Sequence, residues 1–296
     1  MKVGFIGLGA MGGNMALNIL AKEGAVCVND VSEAAREAMR AKGAQVAESN
    51  AALARACDVV MLSLPNGDVV ESVIFSPGGL AEGLGAGKIV VDLSTCDYLH
   101  TKAIAAKVEA LGAEFLDAPV SGMEARAKTG ELSIMCGGKE DAFNKVLPLL
   151  RDIGTTVQYL GATGSGQLGK TINQVLYDVN MAALAEILPL AVKMGLDPQK
   201  TGDFINAGTG RSYASEYFIP KILAGDFKYG FSLEKAYKDM QSAFFISAKE
   251  CIPTPVMNAA MATYQMALLE GYGGDYKGAM VKVFEKLNGV EFRKKQ

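Results

Sequence analysis

Two runs in the first hundred residues, VVMLSL at 59–64 and IVVDLS at 89–94, are apolar at consecutive positions and not at alternate ones. A strand with one face in water alternates. A strand covered on both faces does not, and double cover is the condition of a parallel sheet lying under helices. Similar short runs recur at 3–6, 26–29, 115–120, 133–136 and 157–160, with helical patterns between them at 11–23, 33–41, 51–56, 68–75, 101–111 and 140–150. Ser32 and Asn50 stand where helix N-caps belong, because their side-chain oxygens can satisfy free amides of a first turn. Repeated β-α units of this kind build an α/β domain with an open, doubly wound sheet of Rossmann type.

The pattern changes after Gly161. Four glycines fall within residues 161–169, and a long helical stretch follows from about 167 to 194. No further strand pattern is present. Asp197-Pro198 reads as an N-cap with proline at the first helical position; Pro255 and Asp275 mark further helix starts, with 271–274 as a loop. The chain of 296 residues is therefore expected to form a Rossmann domain over 1–163 and an all-α domain over 164–296, joined through the long helix.

Composition narrows the function classes. Hydrophobic residues make up 50% and charged residues 21%, which excludes a disordered chain. A formal charge of -3 leaves no basic surplus for nucleic acid or anionic lipid. The five cysteines form no CxxC pair, and read as reduced thiols in a cytosol-like compartment. The longest apolar stretch, 171–192, is interrupted by Asn173, Asp178, Asn180 and Glu186. A soluble, cytoplasmic protein without a metal site is the expectation.

Between the first strand and the first helix lies GLGAMG, with Gly7, Gly9 and Gly12. Gly7 permits the tight turn, Gly9 lets a pyrophosphate approach the backbone, and Gly12 lets the helix press on the strand. The helix N-terminus then offers free amides and the positive end of its dipole to the phosphates. Such a motif alone often marks only a turn, but here Asp30 ends the second strand at the spacing of the ribose-binding acid. A carboxylate there accepts from both ribose hydroxyls and repels a 2′-phosphate, and neither Val31 nor Ser32 offers a cation to hold one, so NAD is favoured over NADP. The alternative for Asp30 is an ordinary turn residue. FAD and S-adenosylmethionine proteins share this strand-loop-helix, so the other strand ends must discriminate. They carry Leu64-Pro65, Ser94-Thr95, Ser121-Gly122 and the glycine-rich loop before Lys170: small, hydroxyl-bearing or amide-rich groups suited to a cofactor and a small polar substrate.

At these residues the chain resembles the β-hydroxyacid dehydrogenases, the 6-phosphogluconate dehydrogenase-like group that contains 3-hydroxyisobutyrate dehydrogenase and tartronate semialdehyde reductase. GFIGLGAMGGNMALNIL (4–20) resembles the family's cofactor signature, DAPVSG (117–122) its substrate signature, GSGQLGKTINQ (164–174) its catalytic signature and AYKDM (236–240) its KDL-type element. The resemblance implies cofactor contacts from Gly7, Gly9, Ala10, Met11, Gly12, Asp30, Leu64, Pro65, Thr95 and Lys238. It implies a substrate carboxylate held by Ser121 and Gly122, and catalysis by Lys170 with Asn173. It also implies a homodimer or homotetramer.

The chemistry of Lys170 agrees. Oxidising an alcohol requires a group to take the hydroxyl proton, and with His100 as the one histidine a lysine is the better candidate. A free lysine titrates at about 10.4, and desolvation or a neighbouring cation moves it toward neutrality. Lys170 and Asn173, three apart on a helix, face the same way. Without its motif, Lys170 would read as a solvated helix lysine, and Lys238 as a surface one.

The chain departs from the family after DAPVSG, where Met123-Glu124-Ala125-Arg126-Ala127 replaces further glycines. A cation at Arg126 suits a second anionic group on the substrate; pointing to solvent is its other fate. The expected activity is NAD-dependent oxidation of a short β-hydroxy acid, 3-hydroxyisobutyrate-like, to its semialdehyde. The alternatives are NADPH-dependent reduction of a small semialdehyde, tartronate or succinic semialdehyde-like, and a redox-inactive dinucleotide-binding scaffold.

Overall fold

A computed structural model describes residues 1–228 and 230–294. The chain divides into two compact units, Met1–Lys170 and Thr171–Gln296.

The first unit runs β1 (Val3–Ile6), α1 (Gly12–Glu23), β2 (Cys27–Asn29), α2 (Glu33–Arg40), β3 (Gln45–Val46), α3 (Asn50–Ala56), β4 (Val59–Leu62), α4 (Gly67–Phe75), β5 (Ile89–Asp92), α5 (Tyr98–Ala110), β6 (Glu114–Asp117), β7 (Val120–Ser121), α6 (Met123–Thr129), β8 (Leu132–Gly138), α7 (Glu140–Ile153) and β9 (Gly154–Gly161). It ends on the first turns of α8 (Ser165–Lys193). The strand order β3-β2-β1-β4-β5-β6 is parallel and doubly wound, as the apolar runs require. One face buries Val3, Phe5, Val28, Met61 and Val91 under Met15 and Ile19 of α1 and Val146 and Leu150 of α7. The other buries Ile6, Val60, Leu62, Val90 and Phe115 under Leu53 of α3, Ile74 of α4 and Ile104 of α5. At roughly 1.5–3 kcal/mol for each such side chain, these two layers supply the drive for the unit.

The structure corrects four local expectations. The run at 115–120 is two strands, broken at Ala118-Pro119, because proline cannot continue a ladder. The sheet is not parallel throughout: β8 runs antiparallel to β6 and β7, and β9 follows parallel to β8. Ser49, not Asn50, caps α3 by accepting from Ala52 N, while Asn50 Oδ1 accepts from Asn29 Nδ2. Residues 123–129 are helical, not a loop.

The second unit continues α8 and adds α9 (Pro198–Ala207), α10 (Tyr213–Ala224), α11 (Leu233–Lys249), α12 (Pro255–Leu269) and α13 (Val281–Asn288). Asp197 caps α9 by accepting from Lys200 N, and prolines open α9 and α12. Asp275 does not start a helix; a short 3-10 turn, Lys277–Met280, precedes α13 instead. The core gathers Met181 and Leu188 of α8, Phe218 and Ile222 of α10, Met240 of α11 and Tyr264 of α12. Within it lies an ion pair between Asp178 of α8 and Lys277, 0% and 1% exposed. The Lys277 ammonium stands 3.8 Å from the Tyr177 ring centre, with Phe231 and Phe218 further out. Helix α8 is long and apolar enough to cross a bilayer by composition, yet this face of it is the core of a helical unit.

Candidate active site

The dinucleotide loop follows from β1. Gly7 adopts φ +93°, and a Cβ there would lie 2.2 Å from the Ser63 carbonyl oxygen. A Cβ on Gly12 would come 1.9 Å from the carbonyl of Gly7, so the helix reaches the strand only without one. Gly9 has open space where its Cβ would point, and Gly9 and Ala10 are exposed while Met11 is half-buried. Side chains of Ser32, Ser49, Asn66 and Asp97 cap α2 to α5, but no side chain caps α1. Gly13 N donates to Gly9 O at 2.8 Å, and the amides ahead of it, with the helix dipole, are left for an anion, which fits a pyrophosphate.

Asp30 lies beside this loop. Its Oδ2 accepts from Leu8 N at 2.6 Å and its Oδ1 from Ser32 N at 2.7 Å, so the carboxylate is tied to the glycine loop it serves. Arg36, six residues on, donates from Nη1 to the Asp30 carbonyl at 2.9 Å. This cation lies beyond Val31 and Ser32 in sequence, and α2 brings it back to Asp30 by a turn.

The other strand ends meet the start of α8. Asp117, at the end of β6 and fully buried, accepts from Gly164 N at 2.7 Å and from Gln167 N at 2.8 Å. A carboxylate from one strand thus caps a helix arriving from elsewhere, where the helix dipole favours negative charge. Burial nonetheless raises its affinity for a proton. Gly166 is obligatory, because a Cβ there would lie 2.4 Å from the carbonyl oxygens of Asp117 and Met135. Gln167 donates from Nε2 to Ser94 O at 2.8 Å, and its Oε1 accepts from Cys96 N at 3.1 Å. One amide side chain thus grips both sides of Thr95, which is exposed. Asp92, the register partner of Asp117, accepts from Ser94 N, and burial pushes it up to about 6. Ser94 Oγ in turn accepts from Leu64 N at 2.9 Å, fixing the Leu64-Pro65 turn.

Lys170 follows one turn after Gln167 and is 8% exposed. Ser121 ends β7, and Gly122 has φ +142°. The Arg126 side chain runs back over Gly122: a Cβ on that glycine would lie 2.9 Å from both Cβ and Cδ of Arg126. The first unit therefore assembles Leu64, Thr95 and Lys170 around a shared framework of Asp92, Asp117 and Gln167. None of these three framework residues was singled out from sequence as a site residue. The available signal was an acid closing an otherwise apolar strand, since such a group must find partners.

Asn173 and Lys238 belong to the second unit, and both are exposed there. Gln174 donates to Asp239 Oδ2 at 3.2 Å, linking α8 to α11 beside these two residues. His100 Nε2 pairs with Glu71 at 2.8 Å on the α4–α5 side.

An open Rossmann sheet with a glycine loop, an acid at the second strand end and a buried lysine beyond the strand ends defines an NAD(P)-dependent oxidoreductase. A family model described as the NAD binding domain of 6-phosphogluconate dehydrogenase matches residues 2–161. One described as NAD-binding of NADP-dependent 3-hydroxyisobutyrate dehydrogenase matches 164–284. The chain is 39% identical to 2-(hydroxymethyl)glutarate dehydrogenase of Eubacterium barkeri, covering 98% of this chain and 97% of that one. It is 35% identical to 2-hydroxy-3-oxopropionate reductase of Escherichia coli, over 82% and 83% of the two chains. The structure of 3-hydroxyisobutyrate dehydrogenase from Mycobacterium tuberculosis with L-serine superposes with a TM-score of 0.86 at 29% identity, over 95% of this chain and 98% of that one. The chain belongs to the β-hydroxyacid dehydrogenase family, whose members act on the CH–OH group of small hydroxy acids with NAD(P).

Proposed function

We propose that the protein oxidises a short, C2-branched β-hydroxy acid to its semialdehyde with NAD, and that the branch carries a second carboxylate. The observation that carries the reading is the buried Lys170, held one turn beyond an α8 terminus that Asp117 and Gln167 fix to the strand ends. When bound, the nicotinamide dinucleotide supplies the two-electron oxidant. Gly7, Gly9, Ala10, Met11 and Gly12 hold its pyrophosphate and Asp30 its ribose, while Leu64, Pro65, Thr95 and Lys238 contact the rest.

Ser121 and the Gly122 amide hold the carboxylate next to the reacting centre. Asn173 orients the hydroxyl toward Lys170 Nζ, which accepts the proton as the carbonyl forms and returns it in the reverse direction. The preference for NAD rests on Asp30, since Arg36 donates to its backbone carbonyl. Arg126, lying over Gly122, is the cation for the second carboxylate, which agrees with the name of the Eubacterium barkeri relative. Assembly as a homo-oligomer is supported by Ile172, Leu176, Ile187 and Leu190, which expose a row of apolar side chains along α8.

Initial rates with NAD and NADP against 3-hydroxyisobutyrate, 2-(hydroxymethyl)glutarate, threonate and glycerate test this reading. The expected result is NAD-dependent turnover, fastest with the dicarboxylate, and a loss of about 10²–10⁴-fold in Lys170→Ala. Arg126→Met should raise KM for the dicarboxylate and leave 3-hydroxyisobutyrate untouched. Activity confined to NADPH-dependent semialdehyde reduction would overturn it.

A further inference from the structure

Cys27 and Cys57 lie 30 residues apart in sequence and meet on one face of the sheet because Gly4 has no side chain. Gly4 and Cys27 are register partners across β1 and β2. Partners in a parallel pair send their side chains to the same face, with strands about 4.8 Å apart. The Cys57 Sγ sits 3.2 Å from the point a Cβ on Gly4 would occupy, so it enters the gap beside Cys27. Both sulfurs belong to the same apolar layer, Cys57 buried and Cys27 half-buried at its edge. The nearness of Cys57 lowers the Cys27 thiol to about 7 against the opposing effect of burial, while Cys57 is pushed up. Lys88 caps the end of α3, donating to the carbonyls of Ala54 at 2.6 Å and Cys57 at 2.7 Å, and so puts a positive charge beside Cys57.

We infer that Cys27 and Cys57 are an oxidant-sensitive dithiol, in which Cys27 reacts with a peroxide and Cys57 closes a disulfide that weakens dinucleotide binding. The Cys27 thiolate attacks one oxygen of hydrogen peroxide, the O–O bond breaks, and the released hydroxide leaves as water after taking a proton. Cys57 then attacks the sulfenic sulfur. The S–S bond forms, the S–O bond breaks, and the oxygen departs as a second water with the Cys57 proton. Two thiols lose two electrons and one peroxide gains them. The cofactor enters because Cys27 opens β2 and Asp30 directly follows it, three residues on, and drawing the sulfurs to about 2.05 Å must move β2 or the turn at Cys57.

The remaining cysteines provide the contrast. Cys96 and Cys136 are buried, Cys136 being raised to about 12 by that burial, and Cys251 is exposed in the second unit. The affinity arm of the test rests on the dinucleotide reading given above. Binding of NADH by the reduced protein, followed by fluorescence, is therefore measured first, and its absence would fail that reading and not the cross-link. The full chain is then treated with hydrogen peroxide and mapped by mass spectrometry after alkylation. The expected product is a peptide pair joined through Cys27 and Cys57, lighter by two hydrogens and released by dithiothreitol. NADH affinity should be several-fold weaker and should recover on reduction. Oxidation of Cys251 while Cys27 and Cys57 still alkylate would overturn the inference. A joined pair with unchanged NADH affinity would overturn its link to the cofactor, as would an equal loss of affinity in Cys27→Ser.

Discussion

The two units bury carboxylates under different terms. In the sheet unit, Asp92 and Asp117 are enclosed by backbone amides and neighbouring polar groups at the ends of β5 and β6. In the helical unit, Asp178 is buried against the Lys277 ammonium inside a ring of aromatic side chains, and its Oδ2 is buried without a hydrogen-bond partner. The first arrangement fixes loops and a helix terminus around Lys170. The second joins elements 99 residues apart within an apolar core. Buried charge in one unit fixes strand ends to a helix terminus, while in the other it organises packing.

Separating the two arrangements by mutation should give effects of falling size. Lys277→Met strands a carboxylate in the helical core and should cost about 3–5 kcal/mol by urea denaturation. The double change Asp178→Leu with Lys277→Met should recover most of that, since a well-packed apolar pair replaces an ion pair without penalty. Failure of the double variant to recover would mean that Asp178 has a task beyond pairing.

Asp117→Asn should act mainly on catalysis. An amide keeps one acceptor for the N–H groups of Gly164 and Gln167, so kcat should fall roughly 30-fold, on the order of 2 kcal/mol, with a smaller change in stability. A loss of stability with kcat intact would make Asp117 as structural as Asp178.

The last effect is a change of slope. Asp92 is raised to about 6 in the fold, against about 3.9 in an unfolded chain. The folded state therefore binds the proton more tightly, so the Asp92 contribution is complete below about pH 4 and is lost as pH rises through 6. Asp92→Asn should gain on the parent protein by about 2 kcal/mol between pH 4 and 7, read from urea midpoints at each pH. Parallel pH profiles for the two proteins would show that Asp92 is not proton-linked to folding.

Much of the first unit was legible because each strand buries both faces, and that leaves an uninterrupted apolar run in the sequence. The glycine loop and the Asp30 carboxylate tied to it were legible because both recur at a fixed spacing in dinucleotide-binding β-α-β units. The reversal at β8 was not, since the residues of a strand do not record the direction of its neighbour. Helix α6 was hidden because its cap Gly122 and its first residue Met123 take positive φ, and the residues after a substrate motif read as loop. Gln167 was passed over within a quoted motif: a glutamine on a helix is ordinary until two strand ends are seen to supply its partners. The pairing of Asp178 with Lys277 lay beyond reach for a different reason, because nothing local in either residue names a partner 99 positions away.

The uncapped first turn of α1 has a consequence for the lifetime of the protein. A helix end that lacks its side-chain partner is a piece of secondary structure left unfinished, and on the function proposed above the dinucleotide's phosphates would finish it. Folding and cofactor supply are then one equilibrium: at a hundredfold excess over the dissociation constant, the bound state gains about 2.7 kcal/mol over the bare chain. A cell depleted of dinucleotide would lose not only the reaction but also part of the enzyme, to proteases that sample its opened form.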